Sequence, residues 1–105
     1  MKKDITLNVG LCEGRHNIPQ VTDGYIFPSE VNPTDLIGLN NIASDKIIQM
    51  CEKFKNSKIK LNLYVTGLTV ALIELLNVCK IHDLEVTLYH YNKETNDYFP
   101  QKVMI

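Results

Sequence analysis

Two short segments of the chain carry residue types that could bind a phosphate or move a proton. The first is the turn Thr66-Gly67-Leu68-Thr69, with two hydroxyls and a glycine that lets a ligand approach backbone N–H groups. The second is the loop Glu13-Gly14-Arg15-His16-Asn17, where the only arginine of the sequence precedes a histidine. Arginine can bind phosphate through two hydrogen bonds, and histidine can exchange a proton near neutral pH. Both segments also have a structural interpretation, as a capped turn and as a solvated loop.

A third candidate is the aromatic run Tyr89-His90-Tyr91. In a strand, alternation sends Tyr89 and Tyr91 to one face and His90 to the other, so all three cannot serve one site. The two tyrosines could sandwich a base, or they could pack across a hairpin against Tyr98. No His, Cys or carboxylate spacing typical of a metal site is present, so we expect neither a metal nor a cofactor.

The elements that must position these residues follow from the apolar pattern. Period-two alternation predicts strands, and apolar residues every three or four positions predict helices. Asn32-Pro33-Thr34-Asp35 has the composition of a helix start, and a break in the helix that follows, at Gly38 or Asn40-Asn41, is left open. The predicted strands cover 5–12, 24–28, 59–65, 84–88 and 98–105, and the predicted helices cover 36–54 and 70–81.

This order predicts a single α/β domain over 1–105, with a mainly parallel sheet and an antiparallel C-terminal hairpin at its edge. The order of the strands stays open. If strand 5–12 lies beside strand 59–65, then the loop with Arg15 and the turn with Gly67 share the carboxyl end of the sheet. Ligands of open α/β sheets bind at this end, where helix N-termini present free N–H groups.

Composition and charge argue against several classes of function. The sequence of 105 residues has a formal net charge of −1, which gives no positive field for polymeric nucleic acid. Three cysteines outside any paired spacing predict buried thiols in a reducing cytoplasm. The N-terminal residues lack a signal-peptide pattern, and no apolar run is long enough to span a membrane. Segment 70–81 is apolar almost all round, which favours a homodimer with this helix at the interface.

The strand, the turn Thr66-Gly67-Leu68-Thr69 and the apolar helix resemble the strand, Thr-Gly-Gly-Thr turn and helix of CRISPR-associated Rossmann-like (CARF) domains and the related ring nucleases. The resemblance covers roughly a quarter of the chain, a single strand-turn-helix unit. Leu68 stands where the family has its second glycine. The resemblance implies a Rossmann-like fold, a homodimer, and a cyclic oligonucleotide bound across the two-fold axis. It also implies a role in antiviral defence, or in anti-defence as in small phage proteins that sequester nucleotide immune signals.

Three functional hypotheses follow, and whether the protein is an enzyme is left open. The first is a binding module, in which Thr66, Gly67 and Thr69 hold the phosphate of a nucleotide-derived signal while Arg15 and His16 close over it. The second is a metal-independent ring nuclease, with His16 as acid or base and Arg15 stabilising charge. The third is a protein–protein interaction module whose turn is only structural. The ligand-binding residues of the first two hypotheses are Glu13, Gly14, Arg15, His16, Thr66, Gly67, Leu68, Thr69, Tyr89 and Tyr91.

Overall fold

The computed structural model describes residues 3–14 and 17–104. Arg15 and His16, two of the predicted ligand-binding residues and the predicted catalytic pair, lie outside the described residues. Their roles therefore stay predictions.

The described residues form five strands and two helices, in the order that the sequence predicts. Strand β4 is longer than predicted, and it includes the whole aromatic run that the sequence placed at its end. The elements are β1 (Lys3–Cys12), β2 (Tyr25–Phe27), α1 (Leu36–Lys53), β3 (Ser57–Tyr64), α2 (Thr69–Ile81), β4 (Glu85–Asn92) and β5 (Asp97–Lys102).

The strands form one sheet in the order β2-β1-β3-β4-β5. Strands β1, β2, β3 and β4 run parallel, and β5 pairs with β4 in the antiparallel direction. The predicted fold class, α/β with a mainly parallel sheet and an antiparallel C-terminal edge, is therefore confirmed. Because β1 pairs directly with β3, the loop after β1 and the turn after β3 leave the same end of the sheet.

Helix α1 begins at Leu36 because Asp35 caps it: the Asp35 carboxylate accepts a hydrogen bond of 3.0 Å from the Gly38 N–H. The helix continues through Gly38 and Asn40-Asn41 without the break that the sequence left open. Its buried stripe consists of Leu39, Ala43 and Ile47, at the spacing of one helical face.

Helix α2 packs on the sheet and also against α1, which explains much of its apolar character. The Asn40 amide of α1 donates a hydrogen bond of 3.1 Å to the Glu74 carboxylate of α2. Ile73 of α2 and Leu36 of α1 stay about half exposed. The predicted homodimer stays a prediction. Neither helix in the described part of the chain combines the length and the apolar character needed to cross a membrane.

The two faces of the sheet differ in character. Alternate residues of the three central strands are buried in one apolar core with both helices. These are Leu7, Val9 and Leu11 of β1, Ile59, Leu61 and Leu63 of β3, and Val86 and Leu88 of β4. The residues between them face the other way and are largely polar or aromatic, so we call this second surface the helix-free face. Its central row joins Asn8, Asn62 and Thr87 across the strands, with a 3.0 Å hydrogen bond between the two asparagine side chains.

The described residues 17–20 of the connection between β1 and β2 lie on the helix-free face. The chain moves in one direction across the sheet from β2 to β3 to β4, which puts both helices on one face if the crossovers are right-handed. From β1 to β2 the chain moves in the opposite direction, so the same rule predicts that this connection passes over the opposite face. We call its described residues 17–24 the crossing loop. The structure agrees with this prediction. Ile18 is buried but does not belong to the main core, and its neighbours in the chain line the same cavity as Tyr91 and Tyr98.

Candidate functional site

The carboxyl end of the sheet is held together at Thr66. Its side chain is only 5% exposed, and its hydroxyl accepts a hydrogen bond of 3.3 Å from the Cys12 N–H and lies 3.5 Å from the Cys12 carbonyl. The hydroxyl thus joins the turn after β3 to the end of β1. In open α/β sheets the crevice between two such strands, where the chain reverses its direction across the sheet, is the usual ligand position.

In the rest of the predicted turn, Gly67 and Thr69 are exposed, whereas Leu68 is partly buried against the core. Gly67 has a φ of +66°, and a side chain there would meet no neighbouring atom within 4 Å, so glycine serves backbone conformation rather than packing. Leu68 also has a positive φ, of 54°, at the position where the CARF turn has glycine, and its side chain makes no capping hydrogen bond. Thr69 is exposed and is the first residue of α2. The positive end of α2 therefore faces accessible space.

Glu13 and Gly14 lie toward the opposite edge of the sheet from Tyr91. The Glu13 N–H donates a hydrogen bond of 3.0 Å to the Phe27 carbonyl, and the Glu13 side chain lines a shallow cavity with Lys46 of α1. Gly14 is exposed with a φ of +74°. The structure therefore places Glu13 beside β2, in a different cavity from the aromatic hairpin, and Gly14 near Ser29, just after β2.

All five tyrosines of the chain lie on the helix-free face and form what we call the tyrosine cluster. The members are Tyr25, Tyr64, Tyr89, Tyr91 and Tyr98. The rings of Tyr64 and Tyr89 are stacked, with centroids 4.8 Å apart. Tyr98 meets Tyr64 and Tyr91 edge to face, at centroid distances of 5.1 and 5.4 Å. Tyr25 lies over Gly10, since a Cβ at Gly10 would come within 2.3 Å of the Tyr25 ring.

Burial raises the pKa of two phenols of this cluster, those of Tyr64 and Tyr98. It raises the pKa of Tyr64, and the neighbouring Tyr89, Tyr98 and Asp97 raise it further. Burial also raises the pKa of Tyr98, with Tyr91 and Tyr25 adding to the shift. At neutral pH these side chains are therefore uncharged hydrogen-bond donors with apolar rings.

A cavity of about 570 Å³ opens between this cluster and the crossing loop, within the size range of small-molecule sites. It is lined by Asn17, Pro19, Gln20, Tyr91, Asn96, Asp97 and Tyr98. The Tyr91 hydroxyl donates to the Asn96 amide oxygen, and the Asp97 carboxylate accepts a 2.8 Å hydrogen bond from the Tyr98 N–H. The lining thus combines amides, phenols and one carboxylate, and its described part contains no lysine or arginine.

The aromatic run divides as alternation predicts. Tyr91 lines the cavity, whereas Tyr89 is packed within the tyrosine cluster against Tyr64. His90 lies on the other face, where its ring contacts Phe99 and its Nε2 is 2.8 Å from the Gln101 amide oxygen. The predicted alternation of the three side chains between the two faces of the sheet is therefore confirmed.

Most of the cavity was not identified from the sequence. The sequence singled out Asn17, Tyr91 and Tyr98 among the lining residues, but it gave no reason to bring them together. Pro19, Gln20, Asn96 and Asp97 were not among the candidate residues. The direction of the β1–β2 connection is the signal that could have joined them, but using it requires the strand order. Within the described residues, no three His, Cys, Asp or Glu side chains are grouped closely enough to hold a metal ion.

No protein-family model, curated protein or solved structure matches this chain. The resemblance to CARF domains and ring nucleases therefore stays a prediction, based on the strand, turn and helix around Gly67.

Proposed function

We propose that this protein binds a small nucleotide-derived ligand at the carboxyl ends of its parallel strands. The observation that carries the proposal is the 570 Å³ cavity beside the tyrosine cluster, at the end of the sheet where the α2 N-terminus is also exposed. The ligand's flat ring occupies the cavity, and its phosphate lies at the turn of Gly67, Leu68 and Thr69.

The cavity suits a heteroaromatic ring. Tyr91 is 48% exposed, so its ring surface is available beside a cluster that is otherwise packed. Stacking of a base on an aromatic side chain contributes about 1–3 kcal/mol. The amides of Asn17 and Gln20 can donate to and accept from the edge of a ring.

The turn suits a phosphate. Backbone N–H groups at the start of a helix attract anions, and the absence of a side chain at Gly67 lets a phosphate approach them. The exposed Thr69 hydroxyl can donate to a phosphate oxygen. The hydroxyl of Thr66 is held by Cys12, so in this proposal Thr66 positions the turn. Tyr64 lies between both parts, since its ring contacts Tyr98 and only Val65 separates it from the turn.

The resemblance to CARF domains extends the proposal to a cyclic oligonucleotide signal. Sequestration of such a signal, in antiviral defence or anti-defence, requires binding and no catalytic group. A homodimer would bring two of these sites to one ligand. Cleavage of the ligand, the second hypothesis, depends on Arg15 and His16.

A thermal-shift screen of the full chain against cyclic and linear nucleotides tests the proposal. A ligand at 100 times its Kd adds about 2.7 kcal/mol, which raises the Tm of a domain of this size by on the order of 10 °C. Chromatography of the recovered ligand separates the hypotheses, because sequestration returns it intact and a ring nuclease returns linear products. A panel without any shift would contradict the proposal and favour the protein–protein interaction module.

The hairpin offers a matched pair of variants for this screen. Tyr91→Leu removes a ring at the cavity, and Phe99→Leu removes a ring of nearly equal exposure, 49%, on the opposite face. We expect Tyr91→Leu to weaken binding at least tenfold through lost stacking and Phe99→Leu to leave it unchanged. Equal effects of the two substitutions would place the ligand elsewhere.

A further inference from the structure

The lining of the cavity has a specific chemical bias. Its one carboxylate, from Asp97, is a hydrogen-bond acceptor only, whereas its amides and phenols can both donate and accept. No lysine or arginine belongs to its described part, so the charge of the described lining is negative. One Asp97 oxygen accepts the Tyr98 N–H at 2.8 Å, which fixes the carboxylate at the rim. A carboxylate can accept several hydrogen bonds through its two oxygens, so it can take a ligand donor as well.

This bias separates the parts of a nucleotide. A phosphate in the cavity would face the Asp97 carboxylate without a described cation to offset the repulsion. An exocyclic amino group, in contrast, presents two N–H donors in the plane of a flat ring, and that plane can stack on Tyr91. The ligand part that fits best is therefore electropositive at its edge and flat.

We infer that the cavity recognises a base bearing an amino group, with Asp97 as the acceptor that selects it, and that phosphate stays outside the cavity. This inference rests on the proposed function and adds the ligand class. Removal of the amino group leaves the carboxylate without its ligand partner, and sites built on a hydrogen bond to a ligand discriminate strongly against analogues that lack the group.

Three pairs of nucleosides test the inference because each pair differs by one amino group. They are adenosine and purine riboside, guanosine and inosine, and cytidine and its analogue without the 4-amino group. We expect the full chain, measured by isothermal titration calorimetry, to bind the amino member of at least one pair tenfold or more tightly. Ribose 5-phosphate should not displace the bound nucleoside.

Two variants of the hairpin test whether Asp97 causes the preference for the nucleoside with the amino group. Asp97→Asn replaces the carboxylate by an amide that donates as well as accepts, and we expect it to reduce the preference to about twofold or less. Glu94→Gln removes a charge from the same hairpin outside the cavity lining, so it should keep the preference.

The outcomes also separate this inference from the proposed function. If nucleotides bind and Tyr91→Leu weakens them, but the paired nucleosides bind equally, the inference is overturned and the proposed function stands. If the amino preference is present but survives Asp97→Asn, the assignment to Asp97 is overturned. If neither nucleotides nor nucleosides bind, the proposed function fails and the inference fails with it.

Discussion

Thr66 and Thr69 occupy the same turn but have different surroundings, and this difference allows their roles to be separated by one substitution. Thr66 is buried and its hydroxyl bonds to the Cys12 backbone, whereas Thr69 is exposed at the start of α2. Valine keeps the branched shape of threonine and removes the hydroxyl. Thr66→Val therefore tests a structural hydrogen bond, and Thr69→Val tests a hydroxyl available to a ligand.

The magnitudes follow from burial. Removal of a partner from a buried hydrogen bond costs about 1–3 kcal/mol. The 3.3 Å distance between the Thr66 hydroxyl and the Cys12 N–H is long, so we expect the lower half of that range. The unfolding free energy of Thr66→Val should fall by about 1–2 kcal/mol, which corresponds to a Tm decrease of roughly 5–15 °C. Exposed substitutions such as Thr69→Val change stability by about 0.5 kcal/mol or less.

Urea unfolding followed by circular dichroism measures the first effect, and titration with the ligand identified in the screen measures the second. We expect Thr66→Val to lose stability in the absence of ligand, and Thr69→Val to keep its stability but bind more weakly. The reasoning would be refuted if Thr66→Val were within 0.5 kcal/mol of the parent chain yet weakened binding as much as Thr69→Val. Thr66 would then contact the phosphate directly, as the sequence-based hypothesis has it.

Three further substitutions test other parts of the structure. Burial raises the pKa of Cys79 from 9.0 to about 12, so the thiol of the unfolded chain loses its proton at a lower pH than the thiol of the folded chain. The free energy of unfolding should therefore fall by about 1.4 kcal/mol per pH unit between pH 9 and 12. Urea titrations at pH 8 and 10.5 should show a smaller fall between the two pH values for Cys79→Ala than for the parent chain. Gly10→Ala should displace the Tyr25 ring, cost about 1–3 kcal/mol and alter the near-ultraviolet circular dichroism, and an unchanged spectrum would contradict the predicted clash. Asp35→Ala should cost about 1 kcal/mol by loss of the α1 cap, against 0.5 kcal/mol or less for the exposed Asp45→Ala; equal thermal-unfolding losses would exclude a capping effect.

Local patterns predicted the elements well because strands and helices have short periods. The alternation at Tyr89, His90 and Tyr91 assigned each side chain to the correct face before any partner strand was known. The helix break at Gly38, which the sequence left undecided and the structure does not have, shows that local propensity alone does not decide whether a helix continues. Glycine lowers helix stability by about 1 kcal/mol, but the Asp35 cap and the buried stripe of α1 outweigh it. A Cβ at Gly38 would lie 2.4 Å from the Asp35 carboxylate, so glycine also makes room for the cap.

The candidate site was harder to predict because it is made of distant segments. Gln20 and Asp97 line one cavity although more than seventy residues separate them in the sequence. Glu13, in contrast, lies beside β2, although the sequence grouped it with Tyr91. Both results depend on the position of β2 outside β1, which no local pattern in the chain specifies.

That position of β2 also explains why the tyrosine cluster divides into a packed part and an open part. The crossing loop must cover the helix-free face, and a face without a helix needs side chains large enough to fill the space beneath a loop. Tyr64 and Tyr89 meet this need by stacking on each other. Tyr91, two residues after Tyr89 on the same face of β4, contacts Tyr98 at one edge, but it is about half exposed and lines the cavity. A ligand ring that stacks on Tyr91 would extend an aromatic array already held in place, so its binding requires little reorganisation of the protein.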